Sequence, residues 1–205
     1  MVNKTIRKAL LIAGLAVSVS SPTFAADKPA LMMGASASML SNTCSGCHGN
    51  DGASVGPASP VIAGISKDYF IELMQGFANG EVPSTIMGRI AKGYTEDEIT
   101  LMADFYGGKP FVKAKQKFND KLVKKGGKLH DKYCEKCHSD GGQSAEDDSG
   151  VLAGQWTPYL KWSLADYTSG DREMTKKMAK KLKKLVKAEG DKGIDALLAY
   201  YASQQ

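Results

Sequence analysis

Two pentapeptides decide how this chain is organised: Cys44-Ser45-Gly46-Cys47-His48 and Cys134-Glu135-Lys136-Cys137-His138. They contain all four cysteines of the 205-residue sequence. The spacing C-x-x-C-H is the attachment signature of a c-type haem. On one helical turn the two sulfurs reach the vinyl groups at one edge of the porphyrin, and the next residue places an imidazole nitrogen beneath the iron. The sequence therefore predicts two covalently bound haem c groups. The attaching residues would be Cys44, Cys47, Cys134 and Cys137, and the proximal iron ligands His48 and His138.

Three other uses of these cysteines are weaker. One zinc ion accepts four thiolates, but a shared zinc site would leave both following histidines unexplained. A redox-active C-x-x-C pair does not need a histidine after it, and here one follows at both sites. A disulfide within each C-x-x-C is geometrically poor. Two haems account for all six residues.

The sequence around the motifs repeats with an offset of 90 residues: Cys44 matches Cys134, and Gly64 matches Gly154. Towards the end of each copy the offset becomes 95, where Tyr106 matches Tyr201. An insertion of about five residues therefore falls in the second copy, most simply within residues 184–191. Two copies with one haem motif each predict two small domains that arose by duplication. A domain of ~80 residues has a marginal core, which a covalently held apolar haem would complete.

The apolar periodicity predicts helices and no strand, so the fold class is all-α. Thr95, followed by three acidic residues, is expected to begin one helix as its N-cap. Other helices are predicted over residues 33–42, 67–77, 121–133, 158–167 and 191–202. The proposed organisation is a signal peptide (1–25), an N-terminal domain (26–108), a basic linker (109–121) and a C-terminal domain (122–205).

The first 25 residues read as an export signal. Lys4, Arg7 and Lys8 precede the apolar stretch Ala9 to Val19, and Thr23-Phe24-Ala25 ends in a small residue suited to cleavage. About 11 apolar residues are too few to span a bilayer, and no internal apolar run reaches the ~18 that a span needs. Removal of this segment leaves 24 basic and 22 acidic side chains, a net charge of +2. That value gives no argument for binding nucleic acid or a membrane surface. The expected location is the periplasm.

The second axial ligand of each iron has to be found elsewhere. His130 is the one histidine outside the motifs, but it precedes Cys134 by one turn on the proximal side. We interpret it as a packing or surface residue. A methionine sulfur is the alternative that electron-transfer cytochromes use. In the N-terminal domain we predict Met87, in a loop, because Met74 and Met102 lie in amphipathic helices where methionine usually fills the core.

In the C-terminal domain two candidates remain. The 90-residue offset points to position 177, which Met178 misses by one residue and Met174 by three. We favour Met178 and keep Met174 open. With both axial positions filled, neither iron offers a site for substrate, so the chain is expected to transfer electrons. The loop 56–58 is a candidate to place a backbone carbonyl against the ring N–H of His48.

Longer runs carry a family resemblance. Residues 84–94, 128–138 and 152–160 resemble the dihaem cytochrome subunit of flavocytochrome c sulfide dehydrogenase, and the likeness extends from about Met39 to the C-terminus. It implies two tandem class I cytochrome c domains and a separate FAD-containing subunit that oxidises sulfide. It also implies a soluble cytochrome as electron acceptor. This chain lacks a dinucleotide-binding G-x-G-x-x-G and spare cysteines, so it would be inert towards sulfide by itself.

Two other functions remain in competition. Cytochrome c4, a free dihaem electron carrier, has the same two-domain plan. A catalytic dihaem enzyme such as a peroxidase would need one open axial site, which the supply of a methionine for each iron disfavours.

Overall fold

The computed structural model describes residues 34–144 and 149–205, and all regular structure within these ranges is helical. The helices are α1 (Ala37–Asn42), α2 (Ser45–His48), α3 (Lys67–Asn79), α4 (Met87–Ile90), α5 (Glu96–Gly107), α6 (Asp120–Tyr133), α7 (Ser139–Gly142), α8 (Thr157–Ser169) and α9 (Lys176–Ala202). Short 3-10 turns occur at Asn50–Gly52 and Ala91–Gly93. The all-α class is confirmed. The signal segment predicted over residues 1–25 lies outside the described residues.

Local chemistry explains where the longer helices begin. Thr95 caps α5 as predicted: its hydroxyl accepts from the N–H of Glu98 at 3.2 Å, and the Glu98 carboxylate accepts from the N–H of Thr95 at 2.9 Å. This reciprocal pair satisfies two N–H groups that a helix N-terminus leaves free. Ser66 and Thr175 cap α3 and α9 in the simpler way, each with one hydroxyl.

The helices form two units, each with its own apolar core. In the N-terminal unit α5 packs against α1 and α3, and in the C-terminal unit α9 packs against α6 and α8. The first core is built on Leu40, Phe70, Met74, Ile99, Met102 and Tyr106. The second is built on Leu129, Leu160, Leu185, Leu197, Leu198 and Tyr201. The helix that leads into each haem motif therefore lies against the last helix of its own unit.

Equivalent backbone hydrogen bonds support the duplication. Gly64 N–H donates to the carbonyl of Tyr106, and Gly154 N–H donates to the carbonyl of Tyr201, both at 2.8 Å. These pairs are related by the offsets of 90 and 95 residues found in the sequence. The change in offset therefore falls between residues 154 and 201, a stretch that includes Gly190, whose dihedral angles are non-helical (φ 58°, ψ −155°).

Helix α9 is the main departure from the predicted helices. The prediction over residues 191–202 matches its second half, which begins at a kink where Gly190 has non-helical dihedral angles; the first half, from Lys176 to this kink, was not predicted. The added part contains seven exposed lysines: Lys176, Lys177, Lys180, Lys181, Lys183, Lys184 and Lys187. Leu185 in the same segment is buried in the C-terminal core, at 1% exposure, and anchors it. Within residues 34–144 and 149–205, no helix combines the length and apolar character that a membrane crossing requires.

Candidate haem sites

The first motif forms a single helical turn. Cys44 stands at the N-cap of α2, whose last residue is His48. The N–H of His48 donates to the carbonyl of Cys44 at 2.9 Å, and that of Cys47 to the same oxygen at 3.2 Å. Positions three and four residues apart share one face of a helix. The turn therefore groups two thiols and one imidazole, as attachment of a haem requires.

The imidazole of His48 is oriented by a backbone carbonyl. Its Nδ1 lies 2.9 Å from the carbonyl oxygen of Pro60 and donates to it, which leaves the Nε2 lone pair free to bind a metal. Burial lowers the pKa of His48, although the hydrogen bond to Pro60 acts in the opposite direction. A neutral ring with a fixed Nδ1 proton is the form that ligates iron. The residues present fit a haem at this motif.

The carbonyl that accepts the hydrogen bond from His48 was predicted in the wrong place. The loop 56–58 was expected to supply it, whereas Pro60 does so. The loop folds back on itself, because the Ser54 hydroxyl donates to the carbonyl of Ser59 at 2.7 Å and accepts from the N–H of Gly56 at 3.0 Å. This turn brings Pro60, two residues beyond the predicted span, to the imidazole.

The second motif has the same local geometry. The N–H groups of Cys137 and His138 donate to the carbonyl of Cys134 at 3.1 and 3.0 Å. Burial, followed by the nearby His130 ring, lowers the pKa of His138. Its Nδ1 is buried and has no hydrogen-bond partner among the described residues. The acidic stretch 146–148, which corresponds to the 56–58 loop, lies outside them. A neutral imidazole one turn from two thiols again fits the haem motif.

His130 is a packing residue, as interpreted from the sequence. It has 0% exposure. Its Nε2 lies 2.5 Å from the Glu135 carboxylate and donates to it, and its Nδ1 accepts from the Tyr201 hydroxyl at 2.9 Å. Both ring nitrogens are therefore occupied within the protein. The bond from His130 to Glu135 was not predicted. The one feature of the sequence that could have indicated it is an acidic residue inside the C-x-x-C-H spacing.

The four thiols lie in different environments. None of them is in a disulfide; Cys44 and Cys134 are partly buried, and Cys47 and Cys137 are exposed. Burial raises the pKa of Cys134. In the part of the chain that the structure describes, no three His, Cys, Asp or Glu side chains gather into a group able to hold a metal ion.

The candidate distal ligands differ in their surroundings. Met87 is partly buried and packs against the N-terminal core, which includes Met74 and Met102 at 5% and 0% exposure. It is the first residue of α4 rather than a loop residue. In the C-terminal unit, Met178 lies in the first turn of α9 and Met174 just before its cap, both partly buried. The two core methionines behave as predicted, and the distal assignment stays a prediction.

The Trp156 indole N–H donates to the carbonyl of Ser54 in the N-terminal unit at 3.1 Å, so this side chain packs at the contact between the two units. Arg89 is exposed at the end of α4.

Comparison with known proteins identifies the family, although no protein-family model matches. The chain is 41% identical over 100 residues to the cytochrome subunit of sulfide dehydrogenase from Chlorobaculum tepidum, covering 48% of this chain and 87% of that protein. It is 29% identical over 184 residues to cytochrome c4 of Azotobacter vinelandii, covering 80% and 84% of the two chains. The structure of reduced cytochrome c4 from Pseudomonas stutzeri superposes with a TM-score of 0.69 at 21% identity, covering 82% of this chain and 98% of that one.

The structural match shows the fold, which is that of two tandem cytochrome c domains. The sequence matches imply covalently bound haem c, and the two C-x-x-C-H turns fit two such groups. The chain is a c-type electron-transfer cytochrome, and it belongs to the family of the cytochrome subunit of sulfide dehydrogenase.

Proposed function

We propose that this protein is the electron-transfer subunit of a sulfide-oxidising flavocytochrome. It accepts electrons from a separate FAD-containing subunit and passes them to a soluble acceptor cytochrome. The observation that carries this proposal is the 41% identity to a cytochrome subunit of sulfide dehydrogenase over 87% of that protein's length. The presence of two haem motifs in separate units supports a relay of two redox centres.

The residue roles follow from the two helical turns. Cys44 and Cys47 hold one haem by thioether bonds, and Cys134 and Cys137 hold the other. The axial pairs are His48 with Met87 and His138 with Met178; Met174 is the alternative to Met178. Each haem, when bound, supplies a one-electron couple. The chain's own task is to fix the ligands, which for His48 is done by the Pro60 carbonyl, and to bury them from water.

Two filled axial positions leave no iron site for substrate, so sulfide chemistry belongs to the partner. All four cysteines are engaged by the haems, and none remains to carry sulfur. The exposed lysines of the first half of α9 offer a docking face for an acidic partner surface, and this attraction would weaken with added salt.

The proposed organisation places this subunit in the periplasm. Residues 1–25 would direct export and be removed. The N-terminal domain would then comprise residues 26–108 and the C-terminal domain residues 122–205, joined by the linker 109–121. Export into an oxidising compartment is consistent with cysteines that end as thioethers rather than thiols.

A copurification experiment tests this function. The tagged chain is produced with its haem-maturation machinery in the source cell or together with a candidate FAD-containing subunit, and any complex is isolated by the tag. We expect one FAD per two haems, and reduction of the haems when sulfide is added. The isolated chain should not react. Isolation without a flavoprotein, together with haems that sulfide leaves oxidised, would refute the proposal.

A second function is favoured by the match to cytochrome c4 over 84% of that protein's length. As a free carrier the protein would shuttle electrons between other proteins without forming a stable complex. The same copurification separates the two functions. A monodisperse chain that holds two haems, lacks flavin and is reduced only by other electron donors would point to the carrier.

A further inference from the structure

One buried side chain of the C-terminal unit pairs with the backbone of the N-terminal unit. Gln155 has 3% exposure and Val61 has 1%. The amide Nε2 of Gln155 donates to the carbonyl of Val61 at 2.9 Å, and its Oε1 accepts from the N–H of Val61 at 2.9 Å. In the N-terminal repeat the equivalent position is Ile65, which lies in its own core. The amide is thus a feature of one repeat alone.

The next residue contacts the same loop at its other end. Besides the bond from Trp156 Nε1 to the carbonyl of Ser54, the indole ring lies flat against the backbone of Gly56. A Cβ on Gly56 would fall 2.2 Å from Trp156 Cε2, so this contact requires glycine. Ser54 is itself tied to Ser59 through its hydroxyl. Gln155 and Trp156 therefore fix residues 54–61 from both ends.

This loop carries the carbonyl that orients His48. Pro60 precedes Val61 directly and accepts from His48 Nδ1 at 2.9 Å. The outer hydrogen bond of a metal-bound imidazole sets the ring orientation and raises its donor strength. A displacement of Val61 moves the Pro60 carbonyl with it, because one peptide unit joins them.

We infer that Gln155 and Trp156 are positioning residues for His48, and that docking of the C-terminal unit thereby sets the redox potential of the N-terminal haem. The inference rests on the proposed ligation of iron by His48. Loss of the clamp weakens the Nδ1–H···O=C bond and reduces electron donation to the iron. The ferrous state is then favoured and the potential of that haem rises.

The test uses the full-length protein with both haems. Gln155→Leu removes both bonds to Val61, and Trp156→Phe keeps an aromatic ring but removes the bond to Ser54. Gln204→Leu is the control, because it also removes a glutamine amide from the C-terminal unit, and that amide bonds to the neighbouring Ser203 hydroxyl at 3.3 Å rather than to the N-terminal unit. NMR-monitored redox titration follows the two haems separately. The signals of the N-terminal haem are those that move in a Met87→Leu variant.

For Gln155→Leu we expect the ferrous-to-ferric ratio of the N-terminal haem to rise about two- to tenfold at a fixed applied potential. A tenfold rise corresponds to an increase of about 59 mV in the redox potential of a one-electron couple. Trp156→Phe should raise the redox potential of the N-terminal haem by a smaller amount. This variant provides the test if Gln155→Leu does not fold. The chain has three histidines, so selective ¹⁵N-histidine labelling should also show faster solvent exchange of the His48 Nδ1 proton.

An unchanged N-terminal potential, an equal shift of both haems, or an equal effect of Gln204→Leu would each overturn the inference. These outcomes differ from a failure of the proposed function. If mass spectrometry finds unmodified thiols, or if spectra show that His48 does not bind iron, the haem assignment itself fails.

Discussion

Leu40 of the N-terminal unit and His130 of the C-terminal unit occupy equivalent positions, four residues before the first cysteine of each motif. Both are buried, at 1% and 0% exposure. Leu40 packs among apolar side chains, whereas His130 bonds to Tyr201 and Glu135. The duplicated fold thus accepts either an apolar or a polar residue beside the haem motif, provided that the polar one finds partners for both of its nitrogens.

The same contrast extends to the distal side. Met87 packs against the N-terminal core and is a single candidate, while the C-terminal unit offers Met174 and Met178 on either side of the α9 cap. The helical turn of the second motif is like that of the first, whereas the segments that supply the distal candidates differ between the two units. The two units therefore differ most in the residues that approach the iron from outside this turn.

The largest effect is expected from removing a distal sulfur. Met87→Leu should make the N-terminal haem five-coordinate or water-ligated and lower its potential by on the order of 0.1 V, because the thioether favours the ferrous state. Met178→Leu should do the same to the C-terminal haem. The absorption band of the iron–sulfur bond reports the loss of the ligand, and a potentiometric titration measures the change in potential.

Met174→Leu is the matched control, since it removes a sulfur four residues from Met178. It should leave both iron–sulfur bonds intact. If instead Met174→Leu abolishes the bond and Met178→Leu does not, Met174 is the distal ligand, and the two units correspond through Met87 and Met174.

The motif residues and the duplication were predictable because they depend on local spacing. A helical turn fixes the relative positions of Cys44, Cys47 and His48 whatever surrounds them, and equal spacing reveals the repeat. Thr95 was predictable as an N-cap for the same reason. The helical segment from Lys176 to the kink at Gly190 was not predicted, because the many lysines obscure the buried Leu185.

A second prediction compares the helix crossings of the two units. In the C-terminal unit α6 crosses α9 so closely that a Cβ on Gly126 would fall 2.0 Å from the carbonyl oxygen of Ala196. Gly126→Ala should therefore destabilise the protein by about 1–3 kcal/mol through overpacking. The N-terminal unit has Ser36 at the equivalent position, where α1 has not yet begun. Guanidinium unfolding followed by helical circular dichroism, with the haems attached, measures the loss.

Gly127→Ala provides the control on the same helix. A Cβ there would lie 3.4 Å from the Tyr200 ring, an ordinary contact. Replacing a helical glycine by alanine in such space gains about 0.5–1 kcal/mol. Opposite signs at adjacent residues are expected. If both substitutions change the free energy of unfolding equally, α6 and α9 can move apart to accept the added methyl group. The C-terminal unit would then be no more tightly packed than the N-terminal one.

Contacts between the units could not be predicted from either repeat alone. Gln155 reads as a polar residue before a helix, and nothing near it in sequence indicates that Val61, 94 residues away, is its partner. The bond from Trp156 to Ser54 likewise depends on how the units dock. Pro60 was missed because the Ser54–Ser59 turn, which brings it to His48, is visible only in three dimensions.

The smallest expected effect concerns Glu135, the partner of His130, which has no counterpart in the N-terminal unit. The hydrogen bond from His130 is the main cause that lowers the pKa of Glu135 below its ordinary 4.5. Because this pKa is depressed in the folded state, the stabilisation is present above pH 4.5 and is lost as the pH falls through the folded-state value. Glu135→Gln should slightly lower the melting temperature at pH 7, and the difference from the unmodified protein should narrow below pH 4.5. The effect is small because the Glu135 side chain is 40% exposed.

Thermal unfolding at pH 7 and at successively lower pH tests this, with Glu173→Gln, an exposed carboxylate of the same unit, as the control. The N-terminal unit has Ser45 in place of Glu135, so it cannot contribute the same pH dependence. A difference that stays constant at every pH would show that Glu135 acts on His130 by packing and not by its charge. The polar residue of the C-terminal unit would then be equivalent in effect to Leu40, and the contrast between the two units would reduce to one of shape.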